Sequence, residues 1–200
     1  MDSLSIRDGG KPHKYVTKIF PLPHVKAAMC GIGNLNIVID WFSDLQLNAV
    51  VCKFPFLNEL VPTQLLKIGD KYPTEGHQTT IYHFGFDEEE RRFRGFKFRS
   101  DKNYQMEELD YGIGIRPYGE KLHDILINGL KHLQLNEAIV KLMVAQKAKD
   151  ESLNPEKRAG IGGEIHILQI TEDSQFLWCW RRFPDFFEVF NKMMQNLNSD

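Results

Sequence analysis

Residues able to do chemistry are thinly spread along this chain, and most of the usual constellations are missing. His13, His24, His77, His83, His123, His132 and His166 show neither an HExxH pattern nor paired Cys/His spacing, so no metal site and no cofactor are expected. A Ser-His-Asp hydrolase needs a GxSxG elbow, which is absent. Neither Gly112-Ile113-Gly114 nor the run from Gly160 to Gly163 completes a nucleotide fingerprint. What remains near the start is Asp2 and Lys18. If Lys18 is buried beside Asp2, its charge is held by that carboxylate and could lower the pKa of a neighbouring nucleophile. The plainer reading makes Asp2 a solvent-facing terminal carboxylate and Lys18 a strand-end cation whose stem lies on Phe20. Gly31 and Gly33 are then simple strand-to-helix punctuation. Cys30, inside an apolar strand, is expected to be a small core residue, and His83 and His166 are expected to be structural.

A second chemical signal is Arg91-Arg92-Phe93-Arg94-Gly95-Phe96-Lys97-Phe98-Arg99, where rings alternate with cations as single-stranded nucleic-acid binding requires. Cross-strand pairing with the neighbouring acidic turn Asp87-Glu88-Glu89-Glu90 explains it as well. The formal net charge is only −2, so a basic strand without a basic domain makes nucleic acid an unlikely partner. Cys30, Cys52 and Cys179 lack CxxC spacing, which suits free thiols in a reducing cytoplasm. The start of the chain lacks a signal peptide's apolar run, and no stretch approaches the ~20 apolar residues of a membrane span. The expectation is a cytoplasmic protein without a membrane partner. Two hundred residues with no Pro-, Gly- or Ser-rich linker are expected to form one domain, 1–200.

The elements that must position these residues follow from periodicity. Ser3, Ser5 and Ile6 suit a strand, Asp8-Gly9-Gly10 a turn, and Val16 to Phe20 a second strand ending against Pro21 and Pro23. Val25 to Cys30 is a buried strand closed by Gly31-Ile32-Gly33. Asn34 can cap a helix carrying Leu35, Val38, Ile39, Phe42 and Leu45. A helix from Leu57 to Tyr72 is predicted with Pro62 in its first turn. Gln78 to Phe86 and Arg92 to Arg99 form a hairpin. A short strand at Leu109 to Ile115 leads through Arg116-Pro117-Tyr118-Gly119 into a helix from Glu120 to Leu133, and a further helix spans Asn136 to about Lys149. Strands at Glu164 to Thr171 and Phe176 to Arg181 and a helix from Pro184 to Leu197 complete an α+β pattern.

Asp2-Ser3, the triplet Lys18-Ile19-Phe20 and the Ala-Met-Cys-Gly strand together resemble proteasome β-subunits and their bacterial Ntn-hydrolase relatives. The resemblance implies a four-layer αββα sandwich, a homo-oligomer, and a peptide or amide substrate. In that family the first residue of the mature chain is a Thr, Ser or Cys nucleophile whose own α-amino group is the base. Asp2 falls on the family's acid and Lys18 on its lysine with the same spacing. Gly31 falls on the glycine whose N–H serves the oxyanion hole, and Asp150 on an acid that buttresses the terminal amine.

The departures are specific. The family's nucleophile strand should precede Asp2 by on the order of a dozen residues, whereas only Met1 does so here. Ser3 is a poor substitute because it points away from the face that carries Asp2. The loop from Glu151 to Ile161 is longer than the family's, Gly162 stands where a supporting Ser belongs, and Ile113 replaces a serine of the proton relay. The leading expectation is amide-bond hydrolysis with Asp2 and Lys18 tuning a nucleophile encoded upstream, the chain as given being inactive. The rival is a non-catalytic proteasome-like assembly subunit.

Overall fold

The computed structural model describes residues 1–6, 11–48, 53–72, 78–112, 114–115 and 122–197. The turn at Asp8-Gly9-Gly10, Cys52, His77, Ile113 and the run Arg116-Pro117-Tyr118-Gly119 lie outside them. In chain order the elements are β1 (Leu4–Ile6), β2 (Pro12–Tyr15), β3 (Ile19–Leu22), β4 (Ala27–Ile32), α1 (Leu35–Leu47) and α2 (Phe54–Gly69). After them come β5 (Thr80–Asp87), β6 (Arg92–Arg99), β7 (Met106–Glu108), α3 (His123–His132) and α4 (Leu135–Glu151). The chain closes with β8 (Glu164–Ile170), β9 (Gln175–Arg182) and α5 (Phe186–Leu197). This is the expected α+β composition with antiparallel pairing. The chain divides into two compact units, one of Met1–Lys18, Ile113–Ile167 and Trp178–Asp200, the other of Ile19–Gly112 and Leu168–Leu177.

The second unit is built on an antiparallel five-stranded sheet in the order β3-β4-β5-β6-β7. Its hairpin β5–β6 runs in register from Thr80 opposite Arg99 to Asp87 opposite Arg92. Alternation places Ile81 and His83 inward, both fully buried. Against that face pack α1 through Ile37, Val38, Trp41 and Leu45, and α2 through Leu57, Val61 and Leu65. Helix α1 starts where the sequence says: the Asn34 side chain accepts from the Asn36 amide at 3.0 Å. Helix α2 starts earlier than predicted, at Phe54. Pro55 takes the first-turn place and Pro62 lies inside the helix, where it removes one backbone donor.

Two strands also fall elsewhere than expected. The predicted strand Val16 to Phe20 is divided, because residues through Tyr15 pair with β1 whereas Ile19 begins the ladder with β4. Pro21 is tolerated there because β3 is an edge strand. The strand predicted at Leu109 to Ile115 is instead β7, at Met106–Glu108. Its Glu107 faces Lys97 across the ladder, and the last ladder bond runs from the Leu109 amide to the Gly95 carbonyl.

In the first unit, Val140 and Met143 of α4 pack with Ile161, Ile165, Ile167 and Phe183. A smaller apolar cluster joins Leu122 and Leu126 to Ala138 and Leu142. The hairpin β1–β2 forms a two-stranded sheet, as does β8–β9.

Candidate functional site

Asp2 does not belong to β1. It forms an isolated antiparallel bridge with Ile165, and the backbones of Met1 and His166 exchange two bonds of 2.9 Å. This holds the first residues along β8 and turns the Asp2 side chain to Lys18, whose ammonium donates to both carboxylate oxygens at 2.6 and 3.0 Å. Both side chains are largely enclosed, at 12% and 19% exposure. Burial pushes the Asp2 carboxyl above its ordinary value against the pull of the Lys18 ammonium, and the negative charge of Asp150 adds to that push.

Ser3 points the other way, as strand alternation requires. It is buried, and its hydroxyl accepts the Glu164 amide at 2.8 Å while its own N–H donates to the Gly162 carbonyl. That close approach explains the glycine pair. Gly163 has φ +81°, and a Cβ there would lie 2.4 Å from the Ser3 hydroxyl oxygen. The long loop between α4 and β8 is fixed from α4. The amides of Ala159, Gly160 and Ile161 donate to the Asp150 carboxylate at 2.7, 3.0 and 3.2 Å, and Lys147 donates to the Ile161 carbonyl at 3.2 Å. Lys147 also pairs with Glu151 and Asp185, and although burial works against its charge, these bonds hold its pKa above the ordinary value.

Asp2, Lys18 and Asp150 therefore share the first unit, and Gly31 belongs to the second. At Gly31 a Cβ would lie 2.4 Å from a Val38 methyl carbon, so glycine is needed there for α1 to approach β4. Burial pushes the Cys30 thiol up to about 11, which leaves it inert at neutral pH. His83 is the structural histidine expected: the Trp41 indole donates to its Nε2 at 3.0 Å, so Nδ1 carries the proton and donates to the Asn58 carbonyl oxygen at 2.9 Å. The cations of the basic strand are paired: Arg91 with Glu172, Arg92 with Glu90, Arg94 with Asp87 and Glu108, Lys97 with Glu107, and Arg99 with Asp101. That arrangement favours cross-strand pairing over a nucleic-acid surface.

Sequence spacing missed one cluster. Glu164 and His166 lie two apart on β8 and so share a face, and Cys179 on β9 joins them, with all three potential ligand atoms within 4.8 Å of one another. Only the pairing of the two strands brings them together, although the Glu-x-His spacing on a predicted strand was a visible half of the signal. No helix among the described residues is long and apolar enough to cross a membrane.

No protein-family model and no curated protein matches the chain. Solved structures do. Anbu, an ancestral β-subunit from Yersinia bercovieri, matches with a TM-score of 0.61 and 13% identity, over 99% of this chain and 89% of that one. A Gly-1 mutant of Anbu from Hyphomicrobium sp. strain MC1 matches with a TM-score of 0.58 and 14% identity, over 99% of this chain and 88% of that one. These likenesses correct the family reading of the sequence, which placed the chain with proteasome β-subunits and their Ntn-hydrolase relatives: the matched structures are Anbu, proteasome-like but a distinct family. Short strand motifs report a scaffold's geometry and do not separate the families built on it. At these identities the likeness shows the fold, and the chain has a proteasome-like fold.

Proposed function

We propose that this protein is a cytoplasmic, non-catalytic subunit of a proteasome-like assembly of copies of itself, folded as one four-layer αββα domain over 1–200. The observation that carries it is the closed polar network around Asp2. The carboxylate and the Lys18 ammonium satisfy each other, and the Ser3 hydroxyl accepts the Glu164 amide, so these groups form a clasp that holds the first residues in place. One structural neighbour is an ancestral β-subunit, which supports a role as part of an assembly. So does α5, where Phe187, Phe190 and Met194 form an exposed apolar stripe at helical spacing. Native mass spectrometry tests the reading: a multi-subunit particle is expected, weakened by Phe190→Glu, and a monomer at every concentration tried refutes it.

Amide-bond hydrolysis is the second reading, favoured by the burial of Lys18 against Asp2 with the charge of Asp150 close by. On it, Lys18 tunes a nucleophile while Asp2 and Asp150 orient the polar groups. Turnover of a panel of fluorogenic peptides that Lys18→Ala abolishes would establish this reading over the first.

A further inference from the structure

We propose that Glu164, His166 and Cys179 bind a single divalent transition metal of the zinc class on the face of the β8–β9 hairpin. The donors are one carboxylate oxygen, one imidazole nitrogen and one sulfur, a mixture that suits zinc rather than the hard cations magnesium and calcium. At ordinary zinc–ligand lengths, neighbouring ligand atoms of a tetrahedral site stand about 3.4 Å apart. The imidazole Nε2 of His166 and a carboxylate oxygen of Glu164 are already 3.4 Å apart. The sulfur lies within the 4.8 Å envelope of the set, on an exposed side chain free to swing inward by the remaining ångström. Arg182 donates to the other Glu164 oxygen at 3.1 Å, which fixes the carboxylate's orientation and leaves the first oxygen to the metal. Solvent supplies the fourth ligand. On binding, Cys179 coordinates as the thiolate and its proton passes to solvent.

A thiol nucleophile built from the same residues fits less well. Among the described residues no hydrogen bond joins the Cys179 sulfur to the His166 imidazole, whose Nε2 faces Glu164 instead, so no ring nitrogen is placed to take the thiol's proton. The metal would instead clip β8 to β9, which makes the consequence structural and independent of any hydrolysis.

The test is a cobalt(II) titration of the full, reduced, chelator-treated chain. One metal per chain is expected, with a near-ultraviolet sulfur-to-cobalt charge-transfer band and the strong visible bands of four-coordinate cobalt, both removed by added zinc(II). Cys179→Ser, at an exposed position, should keep its circular dichroism, lose the charge-transfer band and bind more than about tenfold more weakly. His166→Gln should weaken binding comparably while keeping the sulfur band at saturating cobalt. Absence of the band in the unaltered chain, or its persistence in Cys179→Ser, overturns the proposal; the second result would assign the sulfur to another cysteine.

Discussion

Replacing Lys18 by Met leaves the Asp2 carboxylate enclosed without its cation. The lost contact is a two-oxygen ammonium bond at 2.6 and 3.0 Å between side chains that are 19% and 12% exposed. Removing one member of a fully buried pair costs about 3–5 kcal/mol, and the residual exposure of this pair brings the expectation to about 2–4 kcal/mol. The loss should depend on pH in a direction fixed by Asp2. Burial raises its folded pKa, so the folded state holds the proton more tightly than the unfolded chain does. Stability linked to such a group is complete below the unfolded pKa and is lost as pH rises through the folded pKa. Without the opposing ammonium the folded pKa climbs further. Lys18→Met should therefore be most destabilised near about pH 7.5 and recover most of the loss near about pH 4. Urea unfolding of the unaltered chain, Lys18→Met, Asp2→Asn and the double variant at both pH values measures the coupling. A coupling below about 0.5 kcal/mol at neutral pH, or a Lys18→Met deficit that does not shrink in acid, would refute the view of the pair as a buried clasp.

Two further outcomes follow from buried groups. His83 has a folded pKa lowered to about 3 by burial, against an ordinary 6.5. The unfolded chain therefore takes up the proton first, and between about pH 6.5 and 5 the fold should lose about 2 kcal/mol through this group. His83→Gln should be less stable at neutral pH but lack that slope, and equal slopes in urea unfolding would contradict the burial. Gly163→Ala combines a φ of +81° with a 2.4 Å clash on the Ser3 oxygen, so a loss of about 2–4 kcal/mol is expected in thermal unfolding. Gly112→Ala, where an added Cβ meets nothing within 4 Å, should change little.

The sequence showed its periodic elements well, because periodicity is imposed by one buried face. The strand Arg92 to Arg99 and the Asn34-capped helix are found where alternation and capping put them. It showed less where the ladder partner decides. Nothing local marks Tyr15 as the last residue to pair with β1 and Ile19 as the first to pair with β4, and apolar content alone favoured Leu109 to Ile115 over the charged β7. The site behaves alike: the contact between Lys18 and Asp2 was legible only through a spacing shared with known folds. The meeting of Glu164 and His166 with Cys179 depends on strand pairing that no motif encodes.

Several polar groups around Asp2 depend on one another in a definite order. Asp150 gathers three consecutive amides at the end of the long loop, and Lys147 takes the Ile161 carbonyl. Those bonds fix the approach to Gly162 and Gly163, whose missing side chains admit Leu4 and Ser3. With Ser3 seated, its hydroxyl takes the Glu164 amide and the Gly162 carbonyl receives the Ser3 and Leu4 amides. The bridge from Asp2 to Ile165 is then in register, and alternation turns the Asp2 carboxylate toward Lys18. Gly162 supplies its carbonyl to this network, and the hydroxyl comes from Ser3 on the opposing segment. A hydroxyl that accepts a backbone amide from a buried strand is a positioning group, which is why loss of the loop's anchor at Asp150 should loosen the Asp2–Lys18 pair even though neither residue touches the three amides it holds.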